Sequence, residues 1–284
     1  MKIKHEFSQE DINAFEPENK IGLLATVNEN NQAHITLITT LMARNSKELI
    51  WGQFAEGHSK VNVKNNPKTA FLIMNLQRKH WRGKALWKQE KKEGEEFIRF
   101  NKLPMWRYNS YFGIHTAHYM DLTETTEKQN LPVASIIISA ILTKIAKSAA
   151  VSKSEHRIMN NWTESFFNKL DTLKFLSYIT DDGFPVLIPL LQCQAADSRR
   201  LVFNTQVYEN ELFAIKADTK LTILALSIDM KDVLVRGKFT GFKKHRGINL
   251  GSIDIDWVYN PMPPISGQIY PEQKVETVNK FDFL

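Results

Sequence analysis

Residues 21–37, IGLLATVNENNQAHITL, and residues 173–189, LKFLSYITDDGFPVLIP, are two versions of one pattern: an apolar run, a polar break and a second apolar run. Each break holds a turn pair, Asn30-Asn31 in the first and Asp182-Gly183 in the second. Gly enters positive φ freely and Asn tolerates it best among the other residues, so both stretches predict a β-hairpin with a two-residue turn. Working outward, Leu49-Ile50-Trp51 falls over Leu201-Val202-Phe203, and Lys68-Thr69-Ala70-Phe71 over Lys220-Leu221-Thr222-Ile223, at the same shift of 152. Arg82-Gly83-Lys84 matches Arg236-Gly237-Lys238 if two residues are inserted. A shift held across four strands marks an internal duplication.

Each copy reads as an antiparallel meander of short strands with a helical segment near residues 60–65 and 212–216, which predicts a small barrel. Between the copies, Val133, Ile136, Ile137, Ala140, Ile141 and Ile145 recur at helical spacing. Ser154-Glu155-His156-Arg157 opens a second helical pattern through Trp162, Phe166 and Leu170. The expected architecture is mainly β with α connectors: a barrel over 1–125, a helical connector over 126–170 and a second barrel over 171–284.

The chain has 284 residues, 43% of them hydrophobic, enough for two ordinary cores. The amino end has no apolar run of signal type, and the longest apolar stretch, residues 131–142, is far short of the roughly 20 residues a spanning helix needs, so no membrane association is expected. A single cysteine, Cys193, excludes an intrachain disulfide and a Cys-based zinc site and favours the cytoplasm. The net charge of +6 is spread along the whole length among 31 acids. It suits solubility or attraction of an anionic ligand better than a nucleic-acid track.

The stretches LATVNENNQAHITLI, LIWG, HSKVNVKNNPKTAFLI and WRGKALW of the first copy, with DDGFPVLIPL, LVFNT and VRGKFTGF of the second, resemble the pyridoxamine 5′-phosphate oxidase-like proteins, the FMN-binding split barrels. The resemblance covers most of the chain outside the helical connector. It implies two tandem six-stranded antiparallel split barrels that form within one chain the pseudo-dimer other members build from two, with further homodimer pairing left open. It also implies FMN in the cleft between the barrels, with a deazaflavin or haem as alternatives.

Binding a phosphate calls for several donors and a nearby cation, and His58-Ser59-Lys60 at a helix start has that character in the position where the family places its phosphate-binding basic residues. The second copy offers Asn210-Glu211-Leu212 at the same place. Glu211 would repel a phosphate and Leu212 cannot neutralise one, so one competent site per chain is expected. The resemblance further places Thr36, Leu37, Ile38 and Thr39, together with Trp51, Gly52 and Gln53, against the flavin ring and ribityl chain. Trp51 could equally be plain core, Gly52 could allow close backbone approach, and Lys84 is a candidate for the ribityl or pyrimidine edge against a solvated strand lysine.

Other groupings are poorer guides. His115 and His118, three apart on a strand, face opposite sides, and no metal site is expected. A haem would need an axial ligand such as His34, His58, His80 or His115, and nothing in the spacing selects one. Residues 78–88 interleave cations with indoles in the manner of a nucleic-acid platform, but the alternation also fits a hairpin with one wet face and acids follow at once. The aromatic run 97–119, with Trp106, Tyr108, Tyr111 and Phe112, is expected to form a lid over the cleft. No catalytic acid-base set is recognisable, which suits a reaction carried by the flavin. The expected function is an FMN-binding oxidoreductase passing hydride or electrons to a small-molecule substrate, with NAD(P)H as candidate donor. The alternative is a non-catalytic flavin- or haem-binding protein. The vitamin-B6 oxidase reaction itself is not expected, because the tail at 257–264 lacks the arginine-rich motif of those enzymes.

Overall fold

A computed structural model describes residues 2–104, 113–152, 154, 156–262 and 266–273. Trp106, Tyr108, Tyr111 and Phe112, expected in a lid, lie outside the described residues.

The first copy contains β1 (Ile3–Lys4), β2 (Lys20–Val27), β3 (Ala33–Leu37), β4 (Met42–Asn45), β5 (Glu48–Gln53), β6 (Lys68–Asn75), β7 (Lys79–Lys91), β8 (Thr116–Thr126) and β9 (Gln129–Asn130), with helices α1 (Gln9–Phe15), α2 (His58–Asn65) and α3 (Glu95–Lys102). Two helices follow, α4 (Val133–Ala146) and α5 (Asn161–Asn168). The second copy contains β10 (Leu173–Ser177), β11 (Ile188–Pro189), β12 (Gln194–Ala195), β13 (Arg200–Asn204), helix α6 (Glu209–Phe213), β14 (Lys220–Leu226), β15 (Asp232–His245), β16 (Ile248–Asn260) and β17 (Gly267–Tyr270).

The two sheets have one topology. The first runs β3-β2-β6-β7-β8-β5-β4 and the second β11-β10-β14-β15-β16-β13-β12, antiparallel throughout. In each, the strands at the two ends of the order are consecutive in the chain. Residues 38–41 link β3 to β4 and residues 190–193 link β11 to β12, so each sheet must curl until its ends meet, which makes two tandem antiparallel barrels. The main path has seven strands rather than the expected six, because β4 and β12 are only four and two residues long and too short to announce themselves. Nor is the order a meander: β2 pairs with β6 and β5 with β8, partners far apart in the chain.

The shift of 152 survives at the level of register. Leu24 faces Phe71 in the first copy and Leu176 faces Ile223 in the second. Ala70 faces Lys84 as Thr222 faces Arg236, and a bulge against the next strand follows each, at Lys84/Ala85 and Arg236/Gly237. The two-residue insertion that aligned Arg82 with Arg236 is therefore a coincidence of letters. Arg236 stands in the place of Lys84, and Leu234 in the place of Arg82.

The opening hairpin also differs in detail from the two-residue turn expected. The Asn28 N–H donates to the Gln32 carbonyl at 2.9 Å and the Asn31 N–H to the Asn28 carbonyl at 3.0 Å, and the same pair of bonds joins Thr180 to Phe184 and Gly183 to Thr180. Only the third loop residue has positive φ, 53° at Asn31 and 79° at Gly183, which is the three-residue loop with a left-handed last position. One letter pair, Asn30-Asn31, served both turn types, and the Asn28 side chain decides between them by accepting from the N–H groups of Asn30 and Gln32.

A shared apolar cluster joins the barrels: Leu23, Ala25, Ile35, Ala70 and Leu72 of the first against Phe175, Leu187, Leu224, Leu234 and Tyr259 of the second. Full burial of such side chains stabilises by about 1.5–3 kcal/mol each. Across the same junction the Thr222 hydroxyl donates to the Ala33 carbonyl at 2.7 Å. Helix α4 meets the sequence expectation only at Ile136 and Ala140. It buries Ile136, Ser139, Ala140 and Thr143 against the second barrel and leaves Ile137, Ile141 and Ile145 about half exposed. Its inward hydroxyls are engaged at Asn204, and that pairing outweighs the apolar stripe. The pattern read as starting at Ser154 becomes helical only at α5, where the Asn160 side chain caps the Thr163 N–H.

Candidate functional site

A cavity of about 350 Å³ opens at the junction of the barrels, within the range typical of small-molecule sites. One wall is the β3–β4 connection with the end of β5. The Ile38 N–H donates to the Gly22 carbonyl at 2.7 Å, and a methyl group on Gly22 would lie 2.3 Å from the Ile38 carbonyl oxygen, so only glycine lets the connection fold back this tightly. The Thr40 hydroxyl donates to the Gly52 carbonyl at 3.1 Å and accepts from the Gly52 N–H at 3.0 Å, pinning that connection to β5.

The floor is the amino end of α2. Ser59, Asn62 and Val63 form its buried face at helical spacing, and Asn62 donates to the Thr26 hydroxyl of β2 at 2.9 Å, which fixes the helix against the sheet. Gly57 precedes the helix without a side-chain cap, and of the first-turn N–H groups that of Lys60 donates to the Gly57 carbonyl at 3.2 Å. Ser59 is only 1% exposed, and its hydroxyl has no hydrogen-bond partner among the described residues. Burial pulls the Lys60 ammonium down to about 8 against the opposing pull of Glu56.

The second barrel supplies the remaining wall through Met230, Asp232, Tyr259, Pro261 and Ser266. Tyr259 packs edge-on to His34 and His58 with ring centroids 5.7 and 5.2 Å away, and the two imidazoles are 5.2 Å apart. Burial, then the neighbouring His58 and the Arg236 and Lys60 cations, holds His34 well below the usual imidazole range, and burial with Arg236 lowers His58. Both rings are neutral at pH 7. Burial lowers Arg236 to about 10, and its guanidinium stands over the Trp257 ring, 4.2 Å from its centroid. No ion pair ties it to an acid among the described residues.

Ten of the eleven residues singled out from sequence line this one cavity: Thr36, Leu37, Ile38, Thr39, Trp51, Gly52, Gln53, His58, Ser59 and Lys60. Two have a different local role from the one expected. Gly52 has its open side filled by Ile114, whose side-chain atoms lie 3.0 Å from where a Cβ would stand, so the glycine serves packing as well as lining. Trp51 is fully buried and stacks on His118 with centroids 3.7 Å apart and planes 4° from parallel. His118 is not a metal ligand in waiting: its Nδ1 accepts from Trp87 Nε1 at 3.2 Å and its Nε2 contacts Gln53 Oε1 at 2.7 Å, which fixes the tautomer and aims Gln53. Among the described residues no group of His, Cys, Asp and Glu is arranged to hold a metal ion.

The eleventh, Lys84, is elsewhere. Its ammonium donates to Asp182 at 2.7 Å and pairs with Glu124 at 3.1 Å, facing the second copy's hairpin. The reason is the way the barrels pack: β7 of the first copy and β15 of the second each lie next to the other copy. The residue in Lys84's place that looks toward the first cavity is Arg236. Sequence reading missed Arg236, Asp232 and Tyr259, and carrying Lys84 forward by 152 would have found the first of them.

At the second copy's equivalent place the groups are already engaged. Glu211, in the position of Ser59, accepts from Arg82 Nη1 and Nη2 at 2.8 and 2.9 Å, and Arg82 also donates to the Leu187 carbonyl at 2.9 Å. Leu212, in the position of Lys60, is buried in the second core. Asn204, in the position of Gly52, donates its N–H to Thr143 and accepts from Ser139 of α4.

No family model matches the chain, and no curated protein matches it. Among solved structures it is similar to HupZ of Group A Streptococcus (16% identity over 44% of this chain and 98% of that one, TM-score 0.36) and to an FMN-binding protein of Syntrophomonas wolfei (18%, 43% and 84%, TM-score 0.35). It is also similar to an FAD-binding protein of Mesorhizobium loti (15%, 45% and 100%, TM-score 0.28). At this level of similarity they say nothing about ligand or reaction. The chain's own strand order and register make it a tandem antiparallel split barrel.

Proposed function

We propose that the cavity binds FMN and that the chain is an FMN-dependent oxidoreductase acting on a small molecule. The observation that carries the ligand is the set of buried polar atoms around one cavity without partners among the described residues: Ser59 Oγ, Trp51 Nε1 and Asp232 Oδ1. Buried donors and acceptors left unmade cost about 1–3 kcal/mol each, so a wall carrying three of them is built for something that pairs with them. The groups at one end suit a phosphate: the Ser59 hydroxyl, the amino end of α2 and the Lys60 ammonium border the cavity there, with Arg236 adding a second positive charge within electrostatic reach. The apolar lining from Leu37, Ile38, Trp51 and Tyr259 suits a flat ring.

When bound, FMN would supply the redox chemistry. The chain's residues hold its phosphate, clamp the ring between the β3–β4 connection and Tyr259, and keep water from it. Neutral His34 and His58 line the cavity without adding charge against the Lys60 ammonium. NAD(P)H is the proposed electron donor, and the lone buried cysteine accords with a cytoplasmic setting.

The test is an equilibrium titration of the purified chain with FMN and with riboflavin, followed by flavin fluorescence. FMN should bind at least tenfold more tightly than riboflavin, and Lys60→Glu should weaken FMN by a hundredfold or more while leaving thermal unfolding of the apo protein nearly unchanged. Equal affinity for the two flavins, or undiminished FMN binding by Lys60→Glu, removes the phosphate from this end of the cavity. Bleaching of the bound yellow chromophore by NADPH separates an oxidoreductase from a flavin store.

A further inference from the structure

The phosphate reading leaves two buried polar groups of the cavity without a task, the Trp51 indole N–H and the Asp232 carboxyl, and only the second can change its charge. Asp232 is the first residue of β15, paired with Leu226, and its side chain enters the cavity from the second barrel. It is 6% exposed, and its Oδ1 has no hydrogen-bond partner among the described residues. No cation answers it. The adjacent Lys231 is bonded to Asp229, and Asp229 also accepts from Ser227. Across the cavity the charged and titratable groups are Lys60, Glu56, His34 and His58, and beside it stands Tyr259, hydrogen-bonded to Ser266. None of these forms an ion pair with the Asp232 carboxyl among the described residues.

We propose that Asp232 determines which ring the cavity accepts, by presenting a protonated carboxyl that donates a hydrogen bond to an acceptor atom of the bound flavin ring. The inference rests on the flavin reading above. An acid buried without a partner favours its neutral form, and burial alone pushes Asp232 up to about 7. A phosphate dianion in the same cavity would push it further in the same direction. The neutral carboxyl is then a fixed donor on the wall facing the flavin-lining strands, and it matches a heterocycle edged with carbonyl oxygens and ring nitrogens. The proton makes one carboxyl oxygen a donor and leaves the other an acceptor, so a ligand with no acceptor there would leave the buried O–H unpaired. Once ionised, the same group would set a carboxylate against those acceptors and against the phosphate, so affinity should fall as the pH rises past its titration in the free protein and level off past its titration in the complex.

The pH profile of binding tests this, with two substitutions. Asp232→Asn keeps the shape and a donor but cannot ionise; Asp232→Leu removes the donor. FMN dissociation constants are measured from pH 6 to pH 9 for the parent and both variants, each first checked for cooperative thermal unfolding of the apo protein. Lys60 titrates in the same range and is common to all three proteins, so the ratio of parent to Asp232→Asn isolates the carboxyl. That ratio should be near one at pH 6 and rise at least tenfold by pH 9, with Asp232→Leu at least tenfold weaker than the parent at pH 6. A carboxyl titrating near neutrality in the apo protein, seen by carbon NMR of Asp232, should be absent from Asp232→Asn. Profiles that superimpose for parent and Asp232→Asn, or an Asp232→Leu variant that binds like the parent at pH 6, overturn the proposal. If the parent binds FMN, loses it on Lys60→Glu and is indifferent to both Asp232 substitutions, this inference alone falls. A parent that binds no FMN at any pH removes the flavin reading and this one together.

Discussion

The two helix starts, at Ser59-Lys60 and Glu211-Leu212, sit in the same place on the same fold and do opposite things. The first leaves a buried hydroxyl without a partner among the described residues and an ammonium at the edge of a cavity. The second closes on itself through a bidentate arginine-carboxylate pair, a core leucine and an asparagine held by a connector helix. Position in a barrel therefore does not make a site; what matters is whether the charge at that position is satisfied inside the chain. Glu211 is the chain's own anion where the first copy would admit one from outside.

The comparison can be broken most forcefully at Lys60, where Lys60→Glu installs a carboxylate like that of the second copy and is expected to cost a hundredfold or more in FMN affinity. The next effect is on stability. Glu211→Ala removes the carboxylate paired with the buried Arg82 guanidinium, and because Glu211 itself is partly exposed and Arg82 keeps its bond to the Leu187 carbonyl, the loss should be about 2 kcal/mol, read as a lower denaturant midpoint with FMN affinity unchanged. If FMN affinity falls as well, the second place contributes to binding and the asymmetry is overstated. Smaller again is the pair Arg236→Ala and Lys84→Ala. The first should weaken FMN about tenfold by removing a cation from beside the cavity, whereas the second should leave FMN affinity within twofold, since Lys84 serves the other face. The reverse result would restore the sequence assignment of Lys84. The gentlest probe is pH. Lys60 has a lowered folded value near 8, so its charge is fully present below about pH 7 and is lost as the pH rises through 8. FMN affinity in Asp232→Asn should accordingly decline by a fewfold between pH 7 and pH 9. Bound phosphate would raise the ammonium's value in the complex, which sets where that decline ends.

Much of this was readable in the letters. The hairpin at 21–37 and its repeat 152 residues on depend on local pattern, and local pattern is what a sequence displays, whereas the residues of one cavity wall came from the family resemblance. Three kinds of feature were hidden. β4 and β12 are shorter than any period can reveal. Helix α4 was read by its isoleucines, yet Ser139 and Thr143 set its orientation through bonds to Asn204, more than sixty residues away. The far wall of the cavity, with Asp232 and Tyr259, and the Arg236 cation beside it belong to the other copy, and only the packing of one barrel on the other brings them within reach. Lys84 was misplaced for that same reason.

The covalent join between the barrels has a consequence for dilution. A cleft assembled from two separate subunits comes apart when the protein is scarce, and its ligand affinity then varies with protein level. Here both walls travel on one polypeptide, so the local abundance of each for the other is set by the chain and not by expression. Genetic change also acts on one wall at a time, whereas in a symmetric pair every alteration would be made twice.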